Sequence, residues 1–185
     1  MQKNITISRR MAFDAVLIAI YVVLTFLVIP IGGLKITFEH FPVVLCAVLF
    51  GPADAMLVGG VGELLNQMTS YGFTPTTLLW VLPIVFRGLS VGICAKVFRN
   101  QMGSVAIMKM RVSIVFYIVS VITGIGSSCL NTYALYVDSR MFGYYNYAMV
   151  FGALLIRILL GVATSILICI FTKTILHALK AAGLI

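Results

Sequence analysis

The sequence predicts an all-α integral membrane protein with six transmembrane helices and both termini cytoplasmic. Three observations carry this. Of the 185 residues, 62% are hydrophobic and 10% charged, with a mean hydropathy of +1.13. Apolar runs recur at about the 18-residue length that crosses a hydrocarbon core. Lys and Arg are unevenly shared between alternate loops, the bias that sets membrane orientation. Segments such as MAFDAVLIAIYVVLTFLVIP and VSIVFYIVSVITGIGSSCL lack period-two alternation, which favours a helical bundle over a barrel. Six spans leave no length for a soluble domain, so residues 1–185 are expected to form one unit.

The predicted spans are Met11–Pro30, Ile36–Gly51, Ala53–Met68, Thr76–Ala95, Val112–Tyr133 and Tyr147–Leu176. The second and third are short; at ~1.5 Å per residue, ~16 residues cover only ~24 Å. Arg9 and Arg10 precede a run too long for a signal-peptide core, so it reads as the first span. With the N-terminus inside, Lys3, Arg9, Arg10, Lys96, Arg99, Lys109, Arg111, Lys173 and Lys180 are cytoplasmic; only Lys35 and Arg140 lie outside. The +8 charge thus reflects topology beside an anionic leaflet. Basic residues scattered over short loops, with no basic helix, exclude nucleic acid as a partner. Cys46, Cys94, Cys129 and Cys169 all fall within spans and form no C-x-x-C pair, so they read as packing residues, not a metal site or disulfides.

Along the chain, Ala12, Ala15 and Ala19 mark the first span. Ala15 and Ala19, four apart, share a face that lets another helix approach closely, either within the bundle or from a partner. Asp14 is expected to cap the helix or pair with Arg10. Pro30-Ile-Gly-Gly33 reads as an outside turn able to act as a lid. Glu39 and His40 open the second span, facing either a pocket or its rim. Phe50-Gly51-Pro52-Ala53 is a tight turn into a Gly-rich third span. There Glu63, Asn66 and Gln67 share one face by their spacing. Glu63 is a candidate ion-pair partner for Arg157 or Arg87, since buried charges usually pair. Trp80 reads as either an interfacial anchor or a pocket wall, and Pro83 as a kink. The loop Ala134 to Tyr147, rich in tyrosine, is a second candidate lid.

Ionisable groups are costly within a bilayer and seldom lie there without function. Glu39, His40, Glu63, Asn66, Gln67, Asn131 and Arg157, with Trp80 nearby, gather towards the outer side. They predict a pocket for a small polar molecule.

At KITFEHFPVVLCAVLFGPADAMLVGGVGELLNQM the chain resembles the substrate-binding S components of energy-coupling factor (ECF) vitamin transporters. Phe-Pro enters the second span, a Leu-Phe-Gly-Pro turn follows, and a Gly-rich third span ends in Glu63. A Gly-Phe-Thr loop and the Ala15–Ala19 pair complete the likeness. The resemblance implies a high-affinity vitamin-binding subunit of a prokaryotic plasma membrane that docks, through its first span, on a transmembrane T subunit with two cytoplasmic ATPases. It implies a vitamin or precursor of the hydroxymethylpyrimidine/pyridoxine, pantothenate or folate kind. The chain has no G-x-x-x-x-G-K-[ST] phosphate loop, so energy must come from partners. No cofactor is implied.

Two rival classes fit the sequence less well. A stand-alone secondary transporter would show inverted repeats, and residues 1–95 and 96–185 show no convincing similarity. An enzyme would need a catalytic constellation. Glu39-His40 is not H-E-x-x-H, there is no G-x-S-x-G, and no Cys has a nearby His, so the chain reads as no enzyme.

Overall fold

The structure, a computed structural model, describes residues 7–31, 34–98 and 110–182. The amino-terminal lead before Ile7, the Gly32-Gly33 turn and the middle of the basic loop between Lys96 and Arg111 lie outside the described residues. Six helices follow in order: α1 (Ile7–Phe26), α2 (His40–Leu49), α3 (Pro52–Ser70), α4 (Thr77–Val97), α5 (Met110–Met141) and α6 (Leu154–Ala181). A π-helical turn, Ala148–Gly152, leads into α6. Strands β1 (Ile29–Ile31) and β2 (Leu34–Ile36) form an antiparallel ribbon between α1 and α2, pairing Ile29 with Ile36.

By length and composition, α4, α5 from Ser113 and the stretch Ala148–Leu179 can each cross a membrane. The predicted second span is corrected. Only ten of its residues are helical, because the β2 strand and the turn at Glu39 occupy its N-terminal end. At ~1.5 Å per residue that is ~15 Å, about half a hydrocarbon core. The fifth helix runs to Met141, eight residues past its expected end at Tyr133, so most of the expected tyrosine loop is helix.

The short α2 is the centre of the bundle. Residues 42–47 are buried without a break, and the helix packs on α1, α3, α4 and α6. A helix apolar all round belongs inside, where its backbone bonds are satisfied internally. Val43 and Val44 meet Leu17 and Tyr21 of α1, Val58 of α3, Ile84 of α4 and Ile168 of α6 in one core. By contrast α6 exposes Leu155, Leu159, Ile166, Leu167, Ile170 and Phe171, an apolar surface suited to lipid.

Gly51, at φ 104°, turns the chain from α2 into α3, and Pro52 then occupies the first turn. This explains the Phe-Gly-Pro sequence: the left-handed residue favours Gly, and Pro suits a helix start. Where α3 meets α1, a Cβ on Gly62 would stand 2.6 Å from the Tyr21 ring, so the helices touch through a missing side chain.

Candidate functional site

At the end of the bundle where α1 and α3 finish and α6 begins lies a cavity of about 670 Å³. This size encloses a drug-sized ligand. All six helices or their ends contribute to its lining. The residues named from sequence, Glu39, His40, Glu63, Asn66, Gln67, Trp80, Asn131 and Arg157, all line it. Sequence reasoning missed Thr25, Phe26, Val28, Thr37, Ser70, Tyr71, Ser128, Leu135, Leu160, Gly161 and Thr164. Part of that set was readable: Gly161 and Thr164 follow Arg157 at helical spacing. Thr25, Thr37 and Ser70 gave no signal, because hydroxyl residues are common where membrane helices pack.

Glu63 is the hub of one wall. Its Oε2 accepts from the Tyr21 hydroxyl at 2.8 Å and Asn66 Nδ2 at 3.2 Å, and its Oε1 accepts from Gln67 Nε2 at 2.7 Å. The expected ion pair with Arg157 or Arg87 is therefore not formed. Neutral donors hold the carboxylate instead, and charge-assisted bonds of this kind are among the strong ones. Helical spacing brings Asn66 and Gln67 to Glu63; Tyr21 comes from another helix, placed by the cleft over Gly62.

The lining also holds a cation. Arg157 donates to the carbonyls of Val150 at 3.1 Å and Met149 at 3.0 Å, both in the π-helical turn. Such turns leave carbonyls in need of donors and often occur at functional sites. Arg157 thus holds the turn with two of its five N–H groups. Arg87 does not line the cavity; it is 1% exposed and donates to Ser165 Oγ at 2.6 Å, while its Nε has no partner among the described residues. The buried Nδ1 of His40 also lacks one. Among the described residues, the ion pair is Arg10 with Asp54, at the other end of the bundle. Hence the expected Asp14–Arg10 pair is corrected: Asp14 instead accepts from the Cys46 thiol at 3.7 Å, and Arg10 reaches across to α3.

The tyrosine-rich segment is not the lid expected of it. Only Leu135 of this region lines the cavity. Thr76 and Tyr144 both donate to Asp138, and Arg140 stacks over the Tyr145 ring at 4.0 Å. Burial, and then Asp138 as its acceptor, push the Tyr144 phenol up to about 12, which keeps it a donor. The segment is a brace that ties the start of α4 to the end of α5.

Ala15 and Ala19 are exposed, on the side of α1 away from Asp14, Leu17 and Tyr21. Of the two readings of that stripe, packing inside the bundle is overturned.

Residues 9–185 match the family described as "ECF transporter, substrate-specific component". The chain belongs to that family of membrane transport proteins. A solved structure described as the S component of a bacterial ECF transporter has the same fold, with a TM-score of 0.66. It is 24% identical, and the match covers 95% of this chain and 99% of that one. No curated protein matches the chain in sequence.

Proposed function

We propose that this chain is the vitamin-capturing subunit of an ECF-type importer in a prokaryotic plasma membrane. It binds a vitamin or precursor in the cavity at the outer end of the bundle. It then delivers the molecule inward with a transmembrane T subunit and two cytoplasmic ATPases. Both termini lie in the cytoplasm, the orientation that the Lys and Arg distribution favours. The single observation that carries the reading is the convergence of Glu39, His40, Glu63, Asn66, Gln67, Trp80, Asn131 and Arg157 on one cavity within an otherwise apolar bundle. Charges within a membrane protein mark substrate sites, and three that line this cavity, Glu39, Glu63 and Arg157, lack an ion-pair partner among the described residues. The candidate ligands are hydroxymethylpyrimidine or pyridoxine-like compounds, pantothenate and folate.

Two measurements test this. Mass spectrometry of protein purified from cells should reveal a co-purifying vitamin. Titration of the purified chain with a vitamin panel should quench Trp80 fluorescence without nucleotide. No ligand, no quenching and no calorimetric heat with any vitamin would sink the proposal.

A further inference from the structure

None of the α4 residues 78–82 is buried, although buried residues stand on either side: Thr76 and Thr77, each 0% exposed, and Pro83 and Ile84. Trp80, in the middle of this turn, lines the cavity. The turn is therefore held at its two ends. At one end Ser127 Oγ of α5 donates to the Pro83 carbonyl at 3.0 Å. Pro83 has no N–H to give the Leu79 carbonyl, so the helix's own ladder is interrupted within the turn.

At the other end the tether is Asp138 of α5. Thr76 donates its single hydroxyl proton to this carboxylate. The Thr76 oxygen must then accept from the Thr74 hydroxyl, 3.1 Å away, and Thr74 from the Thr77 hydroxyl, also 3.1 Å away. Thr77 Oγ1 in turn accepts from the Thr74 N–H at 2.9 Å. The carboxylate thus sets the direction of three hydroxyls in a row, and such chains strengthen each member. On α5, Asp138 shares a face with Leu135 and Asn131, which line the same cavity as Trp80.

Resting on the vitamin-capture reading, we infer that Asp138 is a positioning residue for the cavity: through the hydroxyl chain it holds the turn at 78–82, and with it Trp80, in the cavity lining. Asp138 itself does not line the cavity. Without it the turn is tethered at Pro83 alone, and Trp80 hinges there.

The chain has one tryptophan, so acrylamide quenching of the full-length chain in lipid nanodiscs reads this turn directly. D138A and T76V should each raise the Trp80 quenching constant at least about twofold, because losing a hydrogen bond to a charged group favours local opening by about tenfold or more. The double variant should do no more than either, since the two residues form one tether. D138N keeps an acceptor oxygen for Thr76 and should restore the wild-type constant. Y144F removes the other donor to Asp138 but leaves Thr76 tethered, so it should leave quenching unchanged even if its melting temperature falls. T76V preserves volume, and its thermal unfolding midpoint reports whether it folds. Unchanged quenching in D138A and T76V overturns the inference. So does a rise in D138N or Y144F as large as theirs, which would mean general loosening. Acrylamide needs no vitamin. Silence from the vitamin panel therefore sinks vitamin capture and not the tether, and an unresponsive Trp80 sinks the tether and not vitamin capture.

Discussion

The Tyr21 hydroxyl donates to Glu63 at 2.8 Å, joining α1 to α3 across the bundle. One helix therefore carries, on opposite faces, a residue that touches the cavity's hub and the exposed alanines Ala15 and Ala19. Anything that shifts α1 is felt by Glu63, and so by Asn66 and Gln67. Replacing Tyr21 with Phe keeps the ring against Gly62 and removes one bond to a buried carboxylate. The expected cost is about 1.5–3 kcal/mol in stability, the value of a hydrogen bond to a charged group. Ligand affinity should also drop several-fold, since Glu63 loses a restraint. Thermal unfolding and calorimetry on the same sample check both; unchanged affinity would mean the contact is only structural.

The glycines of α3 make a paired prediction. A Cβ on Gly62 would lie 2.6 Å from Tyr21, whereas on Gly60 the nearest atom is a Val85 methyl at 3.4 Å. G62A must push α1 and α3 apart and should cost about 1–3 kcal/mol, as overpacking does. G60A should be neutral or slightly stabilising. Melting temperatures of the two variants, measured side by side in one detergent, decide the matter. Equal losses would mean that the helices do not meet so closely at Gly62.

How much of this was readable beforehand follows from what each residue costs. The helices were legible because apolar runs of span length have few alternatives in a membrane. The ribbon at Ile29–Ile36 was not: Pro-Ile-Gly-Gly-Leu-Lys-Ile is as apolar as a span and hides two three-residue strands. The polar lining was legible because Glu39, Glu63 and Arg157 are expensive where they stand. Their partners were not. An arginine was the natural expectation for Glu63, but the real partners include Tyr21, 42 residues away in sequence, and only packing brings it there. The Asp138 brace was missed for the same reason, as Thr76 sits 62 residues before it.

Arg87 offers a test of what a buried cation contributes. It is almost fully enclosed, with one hydroxyl partner and an unsatisfied Nε. Buried charges with imperfect partners often destabilise relative to an apolar side chain of similar volume. R87M should therefore melt no lower than the wild type. R87A should melt lower, since it leaves a cavity as well as Ser165 without its donor. Chemical or thermal denaturation in the same micelle distinguishes them. A loss above about 2 kcal/mol in R87M would show that the guanidinium holds the bundle together.

The alanine stripe separates capture from delivery. Ala15 and Ala19 are exposed, so a bulky side chain there points away from the described bundle. Under the proposed function that face is where the T subunit docks, and small residues let the two helices approach closely. A15W and A19W should leave ligand affinity within about twofold, because a surface change away from the cavity seldom exceeds ~0.5 kcal/mol. Uptake in cells carrying the full transporter should fall to background. The readouts are calorimetry on the purified variant and accumulation of labelled vitamin in cells. Normal uptake by both variants would place docking elsewhere on the surface. Loss of affinity would mean that the substitutions act through α1 on Tyr21 and Glu63, a result that Y21F should then reproduce.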